Sequence, residues 1–363
     1  MSNFKEQLNS SNFQTDSKGR IYFFDNLKFW LIMLVVIGHF VNPVTGANDI
    51  YKGLFMFIYS FHMPLFIFAT GYFAKSIVDK NTGWFKFEKI IQFLILYLFL
   101  TLVIFFINFY LRGNASTYNF FQPVNPGWYL LATVIWYSLI PIINRVKPSY
   151  VMVGSVIIAL LVGFDPMVGD FLTLSRAICF FPFFMAGFYM TQDNVEKALT
   201  WGGKASRIAA AIFIIAFLIF CLWDPINFYS MRKVISPHYS YSEIAALGNM
   251  YNIWGPITRC LWYCAASFIS ICFMMIMSRK LTFYTELGKR TLQIFIWHAI
   301  AVRLLGYFGF FNYVDVSNEW YVLALPVVVS VVLTFVFGWK PLGKPFNWVL
   351  NKKFKRLFKQ AHQ

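Results

Sequence analysis

The chain is 363 residues long, 59% hydrophobic and 21% aromatic, with 13% charged residues and a net charge of +16. Soluble domains carry roughly a quarter charged residues, so this composition excludes an ordinary soluble globule and points to an integral membrane protein. The basic surplus argues for no nucleic-acid partner, because it sorts by loop rather than gathering on a soluble face.

Residues 1–20 are polar, without the basic start, short apolar core and small-residue cleavage site of a signal peptide, and read as a cytoplasmic N-terminal segment. Apolar runs of spanning character follow near 21–42, 51–74, 90–111, 127–144, 149–164, 172–191, 207–223, 255–277, 291–311 and 320–339, the fifth being short. Backbone polar groups in lipid must be satisfied within each segment, and the alternation of a barrel is absent. The expected fold class is therefore all-α: a polytopic membrane protein of about ten transmembrane helices, with a membrane domain over 21–340. The longest stretch between spans, about 224–254, is rich in Tyr, Ser and Asn. That composition suits a cap that meets a polar ligand, and somewhat better a segment at the membrane interface. Residues 341–363 form a basic tail, with Lys352-Lys353-Phe354-Lys355-Arg356 expected against anionic lipid.

With ten spans and an inner N-terminus, 24 Lys and Arg residues fall on the cytoplasmic side. Only Lys52, Arg112, Arg176, Arg232 and Lys233 fall on the other, and Arg259 and Arg303 lie within spans. This asymmetry predicts that both termini are cytoplasmic, in a multi-pass cell membrane protein of the bacterial plasma membrane type. The five cysteines all fall in predicted helices. Cys260 and Cys264 share a face without further ligands, which favours packing over metal. No nucleotide loop or zinc spacing appears, and no metal is expected.

Ionisable residues inside a bilayer are functional candidates by default. The first span carries Asp25 and Lys28 at its inner end and His39 in its outer half, with Lys28 and His39 separated by roughly 16 Å of helix axis. The second places His62 just before Pro64, the sixth opens on Arg176, and the ninth holds His298 in its middle. Each residue also has an ordinary reading. Lys28 can snorkel to the surface, His62 and His298 can tie helices together, and Arg176 and Arg259 can anchor at the interface. No internal repeat or broken-helix pair of the transporter kind is legible.

Several of these residues fall in a pattern. Asp25-Asn26-Leu27-Lys28 followed by His39 resembles the basic-residue-to-histidine motif of the acyltransferase-3 membrane family. Phe61-His62-Met63-Pro64-Leu65-Phe66 with Gly71-Tyr72-Phe73 resembles the second-span signature of its fucose-4-O-acetylase-like branch. Trp128-Tyr129-Leu130-Leu131, Ser175-Arg176 with Phe180 to Phe184 and Gly187, and Gly288 with Thr291-Leu292 and His298 are similar to later motifs, in the same order. Together they cover roughly residues 20 to 340. Two features depart from the family: it usually has Arg where Lys28 stands, and of its arginines after the second span only Lys86 and Lys89 remain.

The resemblance implies an O-acyltransferase that takes an acetyl group from cytoplasmic acetyl-CoA to a glycan or glycolipid acceptor. That acceptor would be a cell-surface or exported polysaccharide, or its lipid-linked precursor. Lys28, Asp25, Lys86 and Lys89 would serve the acyl-CoA end. His39 would act as general base or as an acyl-imidazole relay, with Arg176 at the oxyanion or an acidic acceptor and His62 and His298 assisting. A transporter or flippase without chemistry is the alternative, and a glycan polymerase ranks below both.

Overall fold

The computed structural model describes residues 13–17, 19–78, 85–112, 121–123, 125–317 and 319–351. The rest of the predicted N-terminal segment and the cluster at 352–356 lie outside the described residues. Regular structure among the described residues is helical, apart from isolated bridges between Thr15 and Ile21 and between Val78 and Phe85.

The helices are α1 (Tyr22–Val41), α2 (Asp49–Ala74), α3 (Glu88–Arg112), α4 (Trp128–Ile143), α5 (Pro148–Leu161), α6 (Leu174–Tyr189), α7 (Gln192–Thr200) and α8 (Gly203–Trp223). They continue as α9 (Pro225–Ser230), α10 (Tyr251–Ile276), α11 (Thr285–Gly288), α12 (Thr291–Tyr307), α13 (Phe310–Val316), α14 (Trp320–Phe337) and α15 (Lys344–Asn351). Six of them, α1, α2, α3, α6, α8 and α10, are long and apolar enough to cross a membrane, alone or with a flanking turn. α4 and α5 are shorter apolar helices.

The last two predicted spans each end in a sharp bend. α12 and α13 meet at 61°, and the helix from Tyr321 bends by 73° into the segment Lys340–Leu350. Gly309, at φ 79°, ends the first of these runs in a left-handed turn that favours glycine. Pro341 opens the turn after the second, where its missing N–H costs nothing. No broken-helix pair is legible in the sequence, and these two bends are what the structure adds.

α2 is the central helix, with 83% of its apolar window buried, whereas α8 at 17% lies at the periphery. The centre is packed backbone to backbone. A Cβ on Gly71 would strike the main chain of Phe184, and one on Gly187 the main chain of Phe68, so α2 and α6 touch at two reciprocal glycines. Close approach through small residues is how helices associate where lipid removes the hydrophobic drive. Pro64 has no N–H for the Ser60 carbonyl one turn earlier. Trp262 of α10 donates its indole N–H there instead, at 3.3 Å, locking α10 onto α2.

At the start of α1, Asn26 is buried and fully engaged. Its amide donates to Ser278 O (3.0 Å) and Lys280 O (2.8 Å). Its carbonyl accepts from Thr282 Oγ1 (3.0 Å) and Thr285 Oγ1 (2.7 Å). Gly288 rests against the Asp25 backbone beside it. These contacts hold α1 in register with the chain that leads into α12, and so set the level of His39 against His298.

Candidate active site

Two cavities lie along the line from Lys28 to His39. The first, about 270 Å³, is walled by His39 (α1), Tyr59 and His62 (α2), Trp128 (α4) and Arg176 (α6). The second, about 220 Å³, is walled by Lys28 (α1), Phe66 and Thr70 (α2), Tyr129 (α4), and Thr291 and Phe295 (α12). They adjoin through consecutive or near-consecutive residues on the same helices. Trp128 faces one and Tyr129 the other, and on α2 the same holds for Met63 and Phe66. Tyr129 packs against Phe66 (5.4 Å between ring centres) and Phe295 (5.5 Å), and its hydroxyl pairs with Thr70 Oγ1 at 2.7 Å. α1 runs unbroken through both levels, so the roughly 16 Å axial spacing of Lys28 and His39 holds.

Three histidines from three helices converge. The His298 ring centre is 5.2 Å from that of His39, and His62 and Arg303 are close enough to act on His39 electrostatically. His62 donates its Nδ1–H to Ile58 O at 2.7 Å, which fixes its tautomer and leaves Nε2 as an acceptor. His298 does the same with Ile294 O at 3.2 Å. Its buried Nε2 has no hydrogen-bond partner among the described residues. Gly38 permits the crowding: a Cβ there would lie 3.0 Å from the Tyr59 ring. Among the described residues no aspartate or glutamate lines this cavity, so a carboxylate-oriented triad is not its design. No group of three or more His, Cys, Asp or Glu among the described residues is placed to hold a metal ion.

Arg176 stands in the same wall, with Nη1 on Asp170 at 2.5 Å and its guanidinium 5.6 Å from the Trp128 ring centre. Arg259 does not join it. It is buried and bonds to Ala159 O (3.0 Å), Cys179 Sγ (3.2 Å) and Tyr239 O (3.4 Å), which makes it an internal brace rather than an interfacial anchor. Segment 224–254 does reach the cavity, bringing Tyr229, Arg232, Ser236, His238 and Tyr239. Sequence reasoning missed Arg232 and His238 as site residues. The hint was their place in an aromatic, hydroxyl-rich loop.

At the other end Lys28 Nζ is 2.9 Å from Asp25 and 4.8 Å from the Phe73 ring centre. Buried Asp25 also takes two bonds of 2.6 Å from Arg20, through Nε and Nη2. Arg20 was another residue sequence reasoning passed over. It supplies beside Lys28 the planar guanidinium that Lys28 lacks. The cations whose charge reaches Lys28 are Arg20 and Lys289. Lys86 is exposed and donates to Ser76 O at 3.1 Å, with Lys89 beside it. The structure gathers Asp25, Lys28, Arg20 and Lys289, while Lys86 is engaged by the Ser76 carbonyl.

Residues 21–339 match the protein family described as an acyltransferase domain. The chain belongs to this acyltransferase-3 family and is a membrane acyltransferase. It is similar to the nodulation protein NolL of Sinorhizobium fredii, 25% identical over 353 residues that span 90% of this chain and 88% of the relative. The nodulation protein NolL of Mesorhizobium japonicum is 23% identical over 305 residues, 78% of this chain and 76% of the relative. No solved structure matches.

Proposed function

We propose that the protein moves an acetyl group from cytoplasmic acetyl-CoA to a hydroxyl of a cell-surface or exported glycan, or of its lipid-linked precursor. The observation that carries this reading is the pair of adjoining cavities: a cationic one at Lys28 and a histidine-lined one at His39, on one unbroken helix. The Lys28 end faces the cytoplasm in this scheme, as the sorting of basic residues suggests, and segment 224–254 caps the outer face. The membrane domain is residues 21–340, in a bacterial plasma membrane. Arg20, Lys28 and Lys289 hold the phosphates of the donor. The pantetheine arm runs past Thr70 and Tyr129 and brings its thioester to His39.

There the acceptor oxygen attacks the thioester carbonyl as His39 takes the hydroxyl proton. The new C–O bond forms, the C–S bond breaks, and the proton passes to the leaving thiolate, giving the ester and free CoA. Arg176 supports the developing oxyanion, and His298 and His62 hold the His39 imidazole in place. The test is mass spectrometry of surface polysaccharide from cells with and without the gene. An acetyl-sized difference is expected, and identical spectra overturn the proposal. The two bent helix pairs favour transport as a second reading. Consumption of acetyl-CoA by purified protein excludes it, since a permease leaves the thioester intact.

A further inference from the structure

The histidine-lined cavity has in its wall an arginine to which the acyl-transfer scheme gives no role. Arg176 and Arg232 both stand in its wall. Lys233 follows, its ammonium 4.7 Å from the Tyr239 ring centre. Two carboxylates lie nearby, and both are already engaged. Asp170 is held by Arg176. Glu243 accepts from Ser240 N at 2.8 Å and from Ser240 Oγ at 2.9 Å.

Arg232 differs from Arg176 in having no ion pair among the described residues. Its guanidinium lies 4.7 Å from the Tyr229 ring centre, and Nη1 makes one long bond of 3.5 Å to Tyr229 O. A half-buried guanidinium has five N–H donors and matches a carboxylate or phosphate in a two-pronged fork. Tyr229, Trp128 and Tyr239 line the same cavity, and Tyr229 is the ring that Arg232 covers. The field is felt at His238, whose imidazole is pushed down to about 4 by burial and then by the Arg176 charge.

We infer that the acceptor is anionic: the sugar unit that enters this cavity bears a carboxylate or phosphate, held by Arg232 while a neighbouring hydroxyl meets His39. This rests on the acyl-transfer reading above and adds the class of acceptor. The anion has two sources, an acidic or phosphorylated sugar residue of the glycan itself, or the diphosphate of a lipid-linked precursor.

The test compares acetylated surface glycan and the lipid-linked sugar pool from cells expressing wild-type protein, Arg232→Gln or Arg232→Lys at equal abundance. Tandem mass spectrometry locates the acetyl group. Acetyl on a uronic or phosphorylated residue supports the inference through the glycan. Acetyl on a neutral sugar already present in the lipid-diphosphate pool supports it through the lipid. In either case Arg232→Gln is expected to lower acetylation on the order of tenfold, the size of a lost charged hydrogen bond, and Arg232→Lys to restore part of it. Acetyl on a neutral residue absent from the lipid pool, or acetylation unchanged in Arg232→Gln, overturns the anionic acceptor and leaves acyl transfer standing. No acetyl difference between cells with and without the gene overturns both.

Discussion

Asn26 shows how a motif residue can be structural. It sits between Asp25 and Leu27, two residues from Lys28, yet all its hydrogen-bonding capacity goes to residues 278–285. Asn26→Ala leaves buried carbonyls and hydroxyls short of partners, at about 1–3 kcal/mol for each group left unpaired. A fall in the thermal unfolding midpoint of the purified protein is expected, and an unchanged midpoint contradicts the assignment. His238 gives a pH effect of definite sign. Its folded value of about 4 lies below the ordinary 6.5, so between those values the unfolded chain binds the extra proton. Its contribution is full above 6.5 and shrinks as pH falls towards 4. The unfolding midpoint should therefore drop less steeply below pH 6.5 in His238→Asn than in wild type. Equal slopes contradict this. His39, His62, Arg176 and His298 were legible as candidates because ionisable groups stand out in apolar helices. Arg232 and His238 were not, because in a loop a charged residue is unremarkable.

The helical class was legible from composition, since lipid leaves an apolar segment few other backbone solutions. The ten spans expected are not matched, as six to eight among the described residues are long and apolar enough to cross. Where the helices meet was not legible. Gly71 and Gly187 were recognisable only as motif letters, and the structure shows them as the places where α2 and α6 press backbone on backbone. Gly187→Leu should drive α6 away from α2, tilting Arg176 out of the cavity and disordering its wall. The expected result is loss of folded protein in a detergent-solubilised, size-exclusion assay, and normal elution with normal activity contradicts it. Segment 224–254 is pinned in the same way: the buried ring of Tyr241 fits against Gly163 and Gly255, and its hydroxyl donates to Leu160 O at 2.9 Å. These partners lie on segments distant in sequence, so the local pattern of 224–254 does not separate a cap from an interfacial segment. The bends after α12 and α14 were also invisible, because an apolar run reads the same whether it is straight or folded back.

For the whole molecule, the account joins a basic end and a histidine end through one bundle. Lys28 and His39 line different cavities, of about 220 and 270 Å³, with Phe66, Tyr129 and Phe295 in the wall of the first. The acyl-transfer class comes from the family match; the division of labour between the two ends is the proposal, and it hinges on His39. The direct measurement is transfer of labelled acetyl from acetyl-CoA to surface glycan by membranes carrying wild type, His39→Ala or His298→Ala at equal abundance. The account predicts that His39→Ala lowers transfer by about 10²–10⁴-fold, as for loss of a general base, with a smaller loss in His298→Ala. Full transfer by a folded, membrane-inserted His39→Ala protein contradicts it.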